Sequence, residues 1–366
     1  MKTALLPLFL LLFMAGGVFA QTETAVFRDA VVYAGPSDSY LQIALLRAGI
    51  PVTIVERNSV GNWLHVVQQR EDGTTLLDGW VLSGYFHLPS DLRYSQLPVS
   101  DMPDGNPEYT GSPSIVRLYN VPIISDVSEA MREVYERGQA LGNHSHIVTK
   151  VGDSLSADPL YLTPIRQSDY VLGPYDYLED SIAYFDAPET SVAARIGMTS
   201  LVLFDPMWAN AERCEAGETP LACEYRLSQP SVSFIMFGPN DVMRMTDEIF
   251  ARQLRQIVDE TLARGIIPVL STFSYHPDAD LWWQAVNFNL AVVDFAAEYQ
   301  VPLINLWAAS RVLPEYGLDQ DRIHMLHSGF RYLKYDTGHE SWYGVSLRNL
   351  LSIRMLDEIR RTLVMG

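Results

Sequence analysis

The chain has 366 residues, 48% of them hydrophobic, and a formal net charge of −18 at pH 7. At about 150 residues per domain, this length predicts two cores. Such acidity excludes nucleic acid and anionic membrane as main partners, since both require a basic footprint.

The first twenty residues, MKTALLPLFLLLFMAGGVFA, carry one charge, Lys2, followed by an apolar run and then small residues. Val18-x-Ala20 fits a signal-peptidase site, so residues 1–20 read as a secretory leader removed near Ala20. Its loss takes the formal charge to −19, because Lys2 goes with it. The mature protein is therefore expected outside the cytoplasm, secreted or periplasmic. No other stretch approaches the ~20 uninterrupted apolar residues of a membrane helix, and no membrane span is expected.

Residues 22–88 form short β-rich runs broken by turn residues. VVYAGPSDSY has Gly-Pro-Ser punctuation, PVTIVERN is β-branched, and WLHVVQQ alternates before the Asp72-Gly73 turn. This pattern predicts a small all-β barrel with Trp63 and Trp80 as core or groove aromatics. The order AGPS, LRAG, GNWLHV, DGWV resembles the bacterial SH3-like domain, and that resemblance implies a cell-wall ligand for this unit. A barrel acting only as a spacer is the alternative. Residues 89–114, rich in Pro, Ser, Gly and Asp without apolar periodicity, read as a linker or as an extended strap across a neighbour.

From residue 115 onwards helix and strand patterns alternate. SDVSEAMREVYERGQALG reads as a helix ending at Gly142, HIVTKV as a strand, and SVSFIMF as a buried strand. TDEIFARQLRQIVDETLARG places Ile249, Phe250, Leu254, Ile257, Val258 and Leu262 on one helical face, stopped by Gly265. The strand IIPVLS, a long helix from Asp280, the strand VPLINL and a closing helix from Tyr343 complete the series. This alternation predicts a parallel sheet covered on both faces, with the chemistry beyond the carboxyl ends of its strands. Cys214 and Cys223, in RCEAGETPLACEY, read as a disulfide on an inserted loop rather than a metal pair. So short a loop contributes at most ~2–3 kcal/mol in the chain-entropy model.

Three stretches fall at predicted strand ends. Gly152-Asp153-Ser154-Leu155 offers either a turn or a nucleophilic Ser154, which needs a base and oxyanion donors. Gly238-Pro239-Asn240-Asp241 offers a turn or an Asn240 side-chain donor. Asp321-Arg322-Ile323-His324 has a carboxylate three residues before an imidazole, the spacing of a base and its orienter. Asp336-Thr337-Gly338-His339 has the same spacing and is the alternative base pair. The first pair is favoured because it follows the strand VPLINL. His276, after IIPVLS, is a further candidate for substrate contact.

GDSL at 152–155, GPND at 238–241 and DRIH at 321–324 occur in the order found in the SGNH (GDSL-type) hydrolases, and residues 115–366 resemble that family. The resemblance implies a three-layer α/β/α, flavodoxin-like domain that hydrolyses ester bonds. It makes Ser154 the nucleophile, His324 the base and Asp321 its orienter. It also implies an oxyanion hole from the Ser154 N–H, the Asn240 side chain and a glycine N–H, with Gly197 in SVAARIGMTS preferred over Gly173. His327 stands where the family often has Pro. The resemblance implies no metal and no organic cofactor. Export together with the wall-binding look of residues 22–88 suggests an acylated glycan or wall polymer as the ester substrate. A non-catalytic wall- or glycan-binding protein on the same fold, or an O-acyltransferase using the same residues, are the alternative readings.

Overall fold

The computed structural model describes residues 22–70, 72–87, 97–106, 113–162, 170–187, 189–329 and 333–363. The predicted leader, residues 1–20, lies outside them. Among the described residues, no helix is long and apolar enough to cross a membrane.

The N-terminal unit contains β1 (Thr22–Ala25), β2 (Ala30–Tyr33), β3 (Gln42–Leu46), β4 (Pro51–Arg57), β5 (Trp63–Gln69) and β6 (Thr75–Leu82). They form one antiparallel sheet in the order β1-β4-β5-β6-β2-β3. Alternation along β2 and β4 turns Val32, Val52 and Ile54 inward, onto a core shared with Leu64, Val66 and Val81. Trp63 and Trp80 are both buried, as their surroundings predict. The expected closed barrel is not formed by the described strands. β1 and β3 stand at opposite edges of the sheet with no ladder joining them. Part of the 89–114 segment lies along this sheet: Leu97 enters its core, and Val99 pairs with Arg57.

The second unit begins with α1 (Pro113–Tyr119), α2 (Ala130–Ala140) and β7 (His144–Gly152), followed by α3 (Ser154–Ala157), α4 (Glu179–Tyr184) and α5 (Pro220–Ser228). It continues through β8 (Pro230–Met236), α6 (Asp247–Ala263), β9 (Ile267–Ser271), α7 (Trp282–Tyr299), β10 (Leu303–Ile304), α8 (Leu306–Ser310) and α9 (Gly344–Leu363). The four strands pair in parallel, in the order β10-β9-β8-β7. Every residue of β8 and β9 is buried, whichever way its side chain points. Both faces of the sheet are therefore covered, as a parallel sheet with crossover helices requires. The predicted helical face of α6 buries Phe250, Leu254, Ile257 and Val258, with Phe250 stacked on Phe288 of α7 at 4.2 Å between ring centroids. The sheet gains a further bridge at each edge, Gly152 to Ala194 beside β7 and Ile124 to Ile304 beside β10.

The two units are tied together by side chains. Asn62, 2% exposed, donates to the Tyr119 and Val121 carbonyls and accepts from the Ile123 N–H. Arg28 donates to the carbonyls of Val312 and Ser341, and its guanidinium lies 4.2 Å from the centroid of the Trp342 ring. The rings of Trp63, Tyr119 and Trp307 run in series across the boundary.

Candidate active site

Strand β7 ends at Gly152, and Ser154 opens the short α3 immediately beyond it. Gly152 is required here by space. A Cβ would come within 2.3 Å of the Met236 carbonyl oxygen and 2.4 Å of Ser156 Oγ, and its φ of 156° is one that L residues rarely adopt. Asp153 caps the turn, its carboxylate accepting from the Leu155 N–H at 2.9 Å. Arg348, reaching from α9, donates to the Leu155 carbonyl at 2.5 Å and to Ser156 Oγ at 3.2 Å. Its guanidinium also lies 3.5 Å from the Tyr161 ring centroid. The turn after Ser154 is thus held by Asp153 and Arg348, while Ser154 itself is half-buried.

His324 arrives from a compact loop between α8 and α9. Leu318 pairs with Met325, the Asp319 N–H donates to the His324 carbonyl at 2.8 Å, and Arg322 takes a left-handed φ of 59°. One oxygen of Asp321 accepts from the N–H groups of Ile323 and His324, at 3.0 and 2.9 Å, an Asx-type turn closed by the side chain itself. The other oxygen lies 2.5 Å from His324 Nδ1, and His324 Nε2 lies 2.9 Å from Ser154 Oγ. The predicted serine, imidazole and carboxylate therefore form one hydrogen-bonded series. Partial burial pushes the Asp321 carboxyl upward. Hydrogen bonds from the His324 ring and from two backbone N–H groups outweigh that effect and leave it below its ordinary value. A carboxylate that stays ionised on Nδ1 directs the free lone pair of the ring to Nε2, where it can accept a hydroxyl proton.

On the neighbouring strand, Gly238 follows β8 at a φ of 141°, with the Phe273 ring where a side chain would have to go. Asp241, absent from the sequence-predicted set, locks this turn to the segment that carries Gly197. It accepts from the Ser200 N–H at 2.8 Å, from Ser200 Oγ at 2.5 Å and from the Gly238 N–H at 3.3 Å. Asn240 donates to the Met198 carbonyl at 3.3 Å, which sets its amide beside the residue following Gly197. Gly197 is exposed, has a φ of 76°, and has open space over its Cα. Gly173 instead packs against the backbone of Asp336, 2.8 Å from where its Cβ would be.

The other predicted residues lie elsewhere. Asp336 is exposed, and the His339 ring sits edge-on to Tyr343 at 5.3 Å. His276 is buried against Tyr316, with Nε2 3.4 Å from a Glu315 oxygen. Cys214 and Cys223 form a disulfide with Cα atoms 5.3 Å apart. Asp153, fully buried with one oxygen unpartnered among the described residues, was also missed. Burial pushes its carboxyl up to about 7, against the opposing pull of the Leu155 N–H and Arg348. Arg348 had left a signal, as an arginine on the apolar phase of a closing helix whose neighbours are Leu350, Leu351 and Ile353.

Residues 151–332, which span Ser154, Asn240, Asp321 and His324, match the model of the GDSL-like lipase/acylhydrolase family. This part of the chain is a GDSL-like acylhydrolase. The protein is accordingly an ester-bond hydrolase. Solved structures similar to the acylhydrolase include a GDSL-like lipase from Bacteroides thetaiotaomicron (12% identity, 63% of this chain and 98% of that one, TM-score 0.38). A lipase/acylhydrolase from Enterococcus faecalis shares 20% identity over 59% of this chain and 96% of its own, with a TM-score of 0.39. An acetylxylan esterase from Geobacillus stearothermophilus shares 16% identity over 58% and 95%, with a TM-score of 0.38. No curated protein sequence matches the chain.

Proposed function

We propose that the protein is an exported serine esterase that removes acyl groups, acetyl foremost, from a glycan or wall polymer. The observation that carries this reading is the His324 ring, hydrogen-bonded on one side to Ser154 Oγ and on the other to Asp321. Ser154 Oγ attacks the ester carbonyl carbon as its proton passes to His324 Nε2. The tetrahedral oxyanion is held by the Ser154 and Gly197 N–H groups and the Asn240 amide. Collapse of the intermediate breaks the C–O bond to the alcohol, which leaves with the proton from His324. Water then attacks the acyl-enzyme, with His324 again as base, and releases the acid and free Ser154.

The His324 and Asp321 side chains are about half exposed, at 50% and 49%. That openness suits a small acyl group presented on a large polymer better than an ester that must be enclosed. Export is supported by the leader-like sequence of residues 1–20 and by the disulfide. In this reading the N-terminal sheet, similar in sequence to SH3-like domains, holds the enzyme at the wall.

A fluorophosphonate probe with mass spectrometry tests the reading directly. Adduct on Ser154, lost in Ser154→Ala, is the expected result. Absence of adduct, together with ester turnover that Ser154→Ala leaves intact, would return the protein to the binding-only alternative.

A further inference from the structure

A cavity of about 460 Å³ lies between the N-terminal sheet and the acylhydrolase unit. It falls in the size class of small-molecule sites, roughly 300–1,000 Å³, and such sites favour unit boundaries. Phe27, Phe86 and His87 line it from one unit, and Tyr175, Glu340 and Arg354 from the other. Ser154, Asn240, Asp321 and His324 are not among its walls.

Two of these residues have unmet polar capacity. Glu340 is 4% exposed, and one of its carboxylate oxygens has no hydrogen-bond partner among the described residues. Its other oxygen accepts from the Tyr175 hydroxyl at 3.1 Å and lies 3.7 Å from His87 Nδ1. Burial raises the Glu340 carboxyl and lowers the His87 imidazole, so these surroundings disfavour charge on both. Arg354 makes no hydrogen bond or ion pair among the described residues, yet it lies close enough to the Tyr175 hydroxyl to influence its ionisation, as Glu340 does. A carboxylate, a phenol and a guanidinium thus share one wall. Phe27 also lines the cavity, its ring stacked on His87 at 4.5 Å.

The fixed charges around the cavity balance, with Arg57 and Arg354 against Asp126 and Glu340. A ligand bringing net charge would add a desolvation cost that nothing in the cavity offsets. A zwitterion would bury two further ionised groups. Hydroxyl groups both donate and accept, so adjacent ones can satisfy an orphan carboxylate oxygen and a free guanidinium together, while the C–H face of a sugar ring covers the aromatic wall. We propose that this cavity is a second ligand site, taking a neutral saccharide through Glu340 and Arg354.

Isothermal titration of the full mature protein with xylotriose and with tri-N-acetylchitotriose tests this. At least one of the two should bind the native protein and Ser154→Ala with the same affinity. Binding should weaken about tenfold or more in Glu340→Ala and in Arg354→Met, the scale of a lost charge-assisted hydrogen bond. Arg354→Met keeps the side chain long and apolar at its base, and so preserves the test if Glu340→Ala fails to fold. Failure of both saccharides to bind the native protein would overturn the proposal. Binding that Arg354→Met leaves unchanged would overturn it as well, as would binding of glycylglycine in place of either sugar.

Discussion

The Asp321–His324 and Asp336–His339 segments have the same residue types at the same spacing, yet the fold gives them different neighbours. In the first, Asp321 spends one oxygen closing its own turn and the other on the imidazole, and the ring extends to Ser154. In the second, Asp336 and His339 fall on two separate turns, Tyr335–Thr337 and His339–Ser341, divided by Gly338 at a φ of 69°. That segment is taken up by the boundary between the units. Its Glu340 meets Tyr175 and His87, and its Ser341 carbonyl accepts from Arg28. An Asp-x-x-His spacing therefore states what a segment can offer, and the neighbours its loop meets in the fold differ between the two segments.

The comparison can be broken most sharply at the serine. Ser154→Ala should lower kcat for a p-nitrophenyl acetate assay by roughly four orders of magnitude or more, since nucleophile and base act as a unit. His324→Ala should fall nearly as far, whereas His339→Ala should stay within a few-fold of the native rate; the reverse pattern would transfer the base to the second segment. Asn240→Ala should reduce kcat about 10²–10³-fold, the usual loss for one oxyanion donor, with KM little changed. An equal rise in KM would instead make Asn240 a ground-state contact.

The smallest effect concerns the buried carboxyl beside Ser154. Asp153 is raised from 3.8 to about 7 by burial, with Asp241 pushing the same way and Arg348, His324 and the Leu155 N–H opposing. The folded protein then holds a proton that the unfolded chain has already lost between about pH 4 and 7, so stability contributed by this group falls as pH rises through that window. Melting curves of native protein and Asp153→Asn should therefore diverge with increasing pH, with the variant relatively more stable at pH 8 than at pH 4. Parallel curves would show that Asp153 ionises in the folded state as it does in the unfolded chain.

Much of the second unit was legible because its signals are local. The apolar face of α6, the uniformly buried run of β8 and the stop at Gly265 follow from periodicity and turn chemistry, which adjacent residues determine. Closure of the barrel is not confirmed, for the complementary reason. Each short strand could be read, but no local pattern states whether the two edges of a sheet meet, and no ladder joins β1 to β3 among the described residues. Arg348 and Asp241 were missed likewise, since their partners Leu155 and Ser200 lie far from them along the chain.

The sequence alone determined the placement of Ser154 and Asn240 just beyond strand ends, because strand, turn and helix propensities act over a few residues. Asp321–His324 stands instead in the loop after α8 rather than directly at a strand end. Only the tertiary structure brought His324 to Ser154, set His339 against Tyr343 instead, and formed a cavity between the N-terminal sheet and the acylhydrolase unit. Those outcomes depend on contacts between segments that share no local pattern, and packing alone brings such segments together.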